Sequence, residues 1–436
     1  MTSYMSSAEA AAALGVSRQT LYAYVSRGLL RAEPGPTHRD RQYLASDVER
    51  LAAERARARK PKEVAKATLN WGLPVLESSI TLIENERLFY RGHDAIGLAA
   101  TADLETLAAL LWQCLTATAF STELPPWPAP MPTLIEHYRG YRAEESLLPL
   151  ITVATDDAAT AYSLEPAGHL LEGGGALVRA LAACLLGAAP STQPIHTQCA
   201  TAWGVDEEGE DLIRMALVLC ADHELNASGF TARCVASTGA SLRASVIGGL
   251  AALTGGKHGA ATAHVEAMWD EIEEDPEARI RSVVAAWQSR EHLVPGFGHH
   301  LYPGGDPRAT ALLARILPSH PDWAALMATV FDASGQRPTI DAALVALRRH
   351  LRLPLGAAFG LFALGRSVGW IAHALEQRAN DNLIRPRAAY TGPRPALDGS
   401  SSSASSPISA KASFSTPSGE DIERFGPFSG LFPDKR

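Results

Sequence analysis

Cysteine is scarce in this chain and badly placed for cross-linking: Cys114, Cys184, Cys199, Cys220 and Cys234 are odd in number, scattered, and never in a C-x-x-C spacing. That speaks against a disulfide framework and a zinc ribbon, and points to a reducing compartment. No stretch of roughly 18 predominantly apolar, uncharged residues stands out, so no membrane span is expected. Met1–Ser7 carries no basic segment followed by an apolar one, so no secretory leader is read there and a cytoplasmic location is expected. What is present is globular in kind: 436 residues, 46% hydrophobic and 20% charged, enough for two or three domains. The net charge of −8 is unevenly spread, because residues 1–62 hold 11 Lys/Arg against 6 Asp/Glu, which leaves −13 for the remainder. The two parts have different electrostatic partners.

The first part reads as an alanine-rich helix over Ser7–Leu14, a turn at Gly15-Val16 with Ser17 as cap, and a second helix over Arg18–Ser26. Leu21, Tyr24 and Val25 share a face of the second helix, while Arg18, Gln19 and Thr20 sit at its start, where a recognition helix meets base edges. Arg39, Arg41 and the run Arg55, Arg57, Arg59, Lys60 add charge that seeks phosphate. The strings AAALGVSRQTLYAYVSRGLL and RDRQYLASDVERL resemble the winged helix-turn-helix of the MerR/excisionase class, which implies DNA contact through Arg18, Gln19, Thr20, Arg39 and Arg41. A small helical docking domain with a solvated basic face is the alternative. Alternating Ala and basic residues around Pro61 mark a linker, so the first domain is placed at 1–62.

Beyond it, Ser78–Gly92 has two short β-branched and aromatic runs about Glu84-Asn85-Glu86, the pattern of a hairpin. From Asp103 to Gln377 leucine and alanine recur at helical spacing, and Gly/Pro clusters punctuate many helices. After Pro393 the serine-rich composition holds little that can form a core, and 393–436 is expected to be disordered.

Three histidines lie in unusual settings: Asp222-His223-Glu224, Gly256-Lys257-His258-Gly259 and Gly296-Phe297-Gly298-His299. Adjacent glycine lets main chain approach a ligand. No metal site is read, since H-E-x-x-H is missing and His258 and His264 fall on different sides of a helix. His258 precedes a helix over Ala260–Glu274, whose dipole disfavours imidazolium and leaves a neutral ring able to donate to a developing oxyanion. His223 and Asn226 are expected on one face of a helix running on from Leu212. Asp341 opens an apolar helix, as a base or equally as an N-cap. Arg366 is the lone charge inside Leu361–Leu375, so it needs a carboxylate from elsewhere; Arg308, Arg385 and Arg387 could join it around a dicarboxylate.

Seven strings in order then resemble the citrate synthase family: YRG at 90–92, LVLCADHELNAS at 217–228, GGKHG at 255–259, PGFGHHLYPGGDPRA at 295–309, PTID at 338–341, FALGRSVGWIAHALEQ at 362–377 and RPRAAYTG at 385–392. The resemblance implies a mainly α fold of multi-helical large and small domains with a short β-hairpin, over 63–392, with the small subdomain near 223–340. It implies condensation of an acyl-CoA, acetyl or propionyl, with oxaloacetate, no permanently bound cofactor, and homodimers with shared sites. His258 would stabilise the enol, Asp341 would be the base, and His299 would polarise the oxaloacetate ketone. His223, Asn226, Arg308 and Arg366 would hold oxaloacetate, helped by the partner subunit's Arg385, and the backbone of Val294, Pro295, Gly296, Phe297 and Gly298 would lie against the CoA adenine. Two departures touch the acyl pocket: the family's G-P-x-H-G-G-A-N reads GGKHGAAT here, and P-N-V-D-F-Y-S-G reads PTIDAALV. No counterpart of the family's segment is evident across Pro128–Pro190. The rival reading is a transcriptional regulator that uses the synthase-like domain as a metabolite sensor.

Overall fold

A computed structural model describes residues 4–14, 16, 18–26, 30–34, 41–45, 47–48, 76–157, 160–161, 167–273, 276–291, 294–388 and 390–392. The chain divides into two units, Met1–Arg385 and Pro386–Arg436, the second with six described residues. The linker expected near residue 62 and the tail 393–436 lie outside the described residues.

The helices Ser7–Leu14 and Arg18–Ser26 form where the sequence pattern puts them. Their apolar residues Ala10, Leu14 and Leu21 close a small core with Leu30, Tyr43 and Val48. The strand Arg41–Leu44 lies between Tyr4–Ser6 and Ala32–Pro34, antiparallel to both. Tyr4–Ser6 carries no alternation that would announce a strand, because three residues pairing across nearly forty are fixed by tertiary contact alone.

The hairpin expected over 78–92 is present as Thr81–Glu84 and Arg87–Tyr90, with Glu84 opposite Arg87 and a third strand, His93–Asp94, beside it. Asn85 and Glu86 both adopt positive φ, 51° and 59°, as a two-residue turn of the I′ kind requires. The rest is helical. Pro128–Pro190, the stretch without a recognised counterpart, holds Met131–His137, Ala143–Ala154 and Ala167–Leu186.

At the centre runs the helix Ala357–Asn380, packed by Leu104–Trp112, Glu207–Cys220, Ala227–Ala236 and Leu242–Leu253. Among the described residues it is the one helix long and apolar enough to cross a membrane, but 94% of its apolar window is buried inside the protein. Arg366 interrupts the run, so the sequence pattern passes over it. Its glycines admit neighbouring backbone: a Cβ at Gly365 would lie 2.6 Å from the Leu217 carbonyl oxygen, and one at Gly369 would lie 2.2 Å from that of Ala221. No side chain fits in either gap.

The helix from Leu212 does not run on through His223 and Asn226. Glu207–Cys220 ends there, Glu224 turns to a φ of 49°, and Asn226 caps the next helix, Ala227–Ala236, by accepting from Gly229 N at 3.1 Å. A short polar residue that bonds the backbone two or three positions on prefers a cap to a helix interior.

Candidate active site

The break after Cys220 throws His223 inward, where it is 7% exposed. Its Nε2 lies 3.0 Å from the Tyr302 hydroxyl, and its ring meets that of His299 edge to face at 5.2 Å. Burial holds His223 well below the ordinary imidazole range, assisted by the positive fields of Arg308, His299, Arg366 and His258. Asn226, three residues on, spends its polar atoms locally: Nδ2 donates to the carbonyls of His223 and Glu224, and Oδ1 accepts from Ser228 Oγ and Gly229 N. It shapes the turn that carries His223.

His258 sits in the turn leading into the helix Ala261–Glu273, its own carbonyl accepting from Ala261 N at 2.8 Å. Its Nε2 is 2.8 Å from Ser228 Oγ, and its ring stands against Phe362 at 6.0 Å. Burial, then Arg366, lowers it to about 4. His299 is likewise brought to about 4, by burial and Arg308 against the pull of Asp306. Its Nδ1 accepts the Leu301 N–H at 3.1 Å, so in the neutral ring the proton stands on Nε2. Three imidazoles are therefore uncharged at neutral pH.

Arg308 is 3% exposed, and a bidentate bond to Asp306, 3.0 and 2.8 Å, answers its charge. Burial opposes that charge, but Asp306 outweighs burial and holds the guanidinium above its ordinary value. Asp306 also accepts the backbone N–H of Arg308 at 3.0 Å, capping Pro307–Ile316, and that of Ile340 at 3.0 Å, the first residue of Ile340–His350. Asp341 is the second residue of this helix and takes a bond from the Thr339 hydroxyl at 3.1 Å. Thr339 is the N-cap, so Asp341 is not one. Burial pushes Asp341 up to about 6, against Arg308 and Thr339.

Arg366, 1% exposed, donates from Nε to the Cys220 carbonyl at 2.7 Å and stands over the Phe362 ring at 4.8 Å. Burial lowers its value while Asp222 works against that. The carboxylate its sequence setting demands comes in part from Asp222. Arg385 is exposed, at the end of the first unit.

The loop from Val294 to Gly298 is zipped to the segment before Asp341. Gly298 N donates to the Arg337 carbonyl and Thr339 N to the Gly296 carbonyl, both at 2.8 Å, around the bridge of Phe297 with Pro338. Gly296 and Gly298 take φ of 77° and 80°. Val294 and Phe297 are buried, whereas Pro295, Gly296 and Gly298 are partly open.

The structure thus brings His223, His258, His299, Arg308, Arg366 and Asp341 into one electrostatic neighbourhood. Tyr302, Ser228, Asp306 and Asp222 escaped the sequence reading although each lies in or beside a quoted string. Asp306 carried a usable signal, an aspartate directly before a proline at a helix start.

In the first part, Arg18 and Gln19 begin the helix Arg18–Ser26, Thr20 is half-buried, and Arg41 is exposed with its guanidinium 5.7 Å from the Tyr22 ring centre. The side chains of Arg18 and Gln19, and Arg39 entirely, lie outside the described residues.

The sequence model for the C-terminal domain of citrate synthase matches residues 68–387, and one for a helix-turn-helix domain matches 4–56. Citrate synthase 2 of Bacillus subtilis (strain 168) is 29% identical over 354 residues, 74% of this chain and 95% of that protein. 2-Methylcitrate synthase 2 of Corynebacterium glutamicum is 33% identical over 190 residues, a match spanning 41% of this chain and 48% of that protein. Among solved structures, citrate synthase from Thermotoga maritima MSB8 superposes with a TM-score of 0.62 at 27% identity, covering 75% of this chain and 96% of that one. A ternary complex of the Thermoplasma acidophilum citrate synthase with carboxymethyl coenzyme A and oxaloacetate shares the fold at 22% identity and a TM-score of 0.59, covering 77% of this chain and 97% of that one.

Proposed function

The chain belongs to the citrate synthase family as an enzyme of that type, and we propose that it condenses the acyl group of acetyl-CoA or propionyl-CoA with oxaloacetate, giving citrate or 2-methylcitrate and CoA. The observation that carries this is electrostatic. Three imidazoles held neutral share the fields of two buried guanidinium groups, and one of these, Arg308, acts also on a carboxyl pushed up to about 6.

In this reading Asp341 removes the α-proton of the thioester, for which a base tuned towards working pH is suited. The enol oxygen is met by His258. The Ser228 hydroxyl proton goes to Asn226 Oδ1, so His258 Nε2–H donates to Ser228 Oγ; only when that hydroxyl turns to Nε2 does the neutral ring carry its proton on Nδ1, available to that oxygen. His299 offers Nε2–H to the ketone oxygen of oxaloacetate, drawing electrons from the carbon that the enol attacks. A carbon–carbon bond forms and the ketone oxygen takes up a proton. Water then adds to the thioester carbonyl and the CoA thiol leaves. Arg308, Arg366 and His223 hold the carboxylates; Asn226 fixes the turn beneath His223; and Val294, Pro295, Gly296, Phe297 and Gly298 offer backbone to the CoA adenine. The acyl-CoA is a co-substrate and the scheme needs no resident cofactor.

The reading extends to an assembly: two copies sharing their sites, with the partner's Arg385 completing the carboxylate clamp, and a small subdomain near 223–340 within 63–392. For residues 1–62 it includes contact with duplex DNA, supported by the helix-turn-helix match and the positive balance of that segment. Thiol release from each ester, with oxaloacetate present or omitted, tests the enzyme. Release that depends on oxaloacetate is expected, and kcat/KM for the two esters side by side names the acyl group; no such release from either overturns the reading.

A further inference from the structure

One face of the helix Ala357–Asn380 follows the segment 220–223 step by step. Arg366 Nε bonds the Cys220 carbonyl, Gly369 lies against that of Ala221, and His373 Nε2 stands 3.2 Å from Asp222 Oδ1. Arg366, Gly369 and His373 are three and four positions apart, so they share that face. Asp222 and His373 are both 0% exposed. Thr81, from the hairpin, donates to Asp222 Oδ2 at 2.5 Å. Neither ring nitrogen of His373, nor Asp222 Oδ1, finds a hydrogen-bond partner among the described residues, so the ring meets Asp222 through proximity, within ion-pair distance.

The proposed reaction uses none of Thr81, Asp222 and His373, yet a buried anion beside Arg366 calls for an explanation. Left alone, the Asp222 carboxylate would turn to the nearby guanidinium, compete with a substrate carboxylate for it, and repel that substrate. Instead Thr81 donates to Oδ2, and the His373 ring stands 3.2 Å from Oδ1. Burial raises the carboxyl, but His373, Arg366 and Thr81 together keep it below its ordinary value.

We propose that His373, seconded by Thr81, is a positioning residue that holds the Asp222 carboxylate back from Arg366, so that the guanidinium stays available to a substrate carboxylate. This rests on the reading of Arg366 as a carboxylate-binding group. Asp222 remains close enough to offset the buried positive charge before a substrate binds, and its tethers fix how near it comes.

The full-length protein tests this by steady-state kinetics with oxaloacetate varied at saturating acyl-CoA, and by the thermal shift that oxaloacetate alone produces. His373→Leu is expected to raise the oxaloacetate KM about tenfold with kcat within about twofold, whereas His373→Gln, which keeps an N–H donor, stays near the wild type. Thr81→Val, on the more accessible hairpin, is expected to raise KM about threefold and reads the same effect should His373→Leu fail to fold. Asp222→Asn combined with His373→Leu removes the charge together with its tether, and should return KM to within about threefold of the wild type. Melting temperatures that fall in every variant while KM stays put, or a double variant worse than either single one, overturn the proposal. A wild type that releases no thiol but still gains thermal stability from oxaloacetate, in a manner dependent on His373, would sink the condensation reading and leave this inference standing. An active wild type whose KM ignores His373 would do the opposite, and a wild type that neither turns over nor binds oxaloacetate sinks both.

Discussion

At Asp341 the burial that makes an ionised carboxylate costly also makes it a stronger base. With the carboxyl at about 6, kcat/KM is expected to rise through a single ionisation near pH 6 and then level off, as a pH–rate profile would record. Asp341→Ala should lower kcat by about 10²–10⁴-fold with little change in oxaloacetate KM. The same shift bears on stability. Because the folded value lies above the ordinary 3.8, the stabilising contribution is complete below about 3.8 and is lost as pH rises through about 6. Asp341→Asn is therefore expected to melt higher than the wild type above pH 6, the advantage shrinking towards pH 4. Equal melting temperatures at pH 7 would refute this. Asp222 and Asp306 run the other way: both are held below the ordinary value, so their contribution is present above about 3.8 and fades as acid reaches their lowered values. At this scale the six side chains that the structure brings into one neighbourhood stood out in the sequence, because unusual local settings set them apart. Their partners did not, since nothing in the sequence says that Ser228 meets His258, thirty residues away, or that Thr81 meets Asp222.

Among the elements, the loop 294–298 is the most exacting. A Cβ on Gly296 would come within 2.8 Å of Val265 Cγ2 and 3.0 Å of the Ala342 Cβ, at a φ that already favours glycine. Gly296→Ala is expected to cost about 1–3 kcal/mol of stability and to push the loop from the Asp341 helix, raising acyl-CoA KM more than oxaloacetate KM. Equal effects on both constants would separate the loop from the ester. The periodicity that located the helices served well where a face is apolar, as in Glu207–Cys220. It failed at 221–226, where a helical spacing of His223 and Asn226 concealed a left-handed Glu224 and a cap. Caps are local chemistry: aspartate, asparagine or threonine before a helix marks its start where period alone does not.

Over the whole molecule, the fold was recoverable from seven ordered strings, while the stretch 128–190 was not, because Ala143–Ala154 and Ala167–Leu186 are held by packing on the central helix, and Met131–His137 by packing on Ala143–Ala154, with no motif to announce them. The opposite charges of 1–62 and the remainder give a further prediction. Retention on duplex DNA should weaken steeply as salt rises, with a preferred sequence surviving competition by random DNA. Retention that is weak, and equal on every sequence, would reduce the first domain to a basic surface.

Asp306 starts two helices and grips Arg308 with one carboxylate. A shift of that guanidinium towards an arriving anion would pull on Oδ2, the oxygen that seats the Ile340 amide, one residue from Asp341. On the proposed reaction, loading the keto acid and aiming the base become one mechanical act. The expected consequence is a queue in which the keto acid leads and the thioester trails, a sequence that product-inhibition patterns would display.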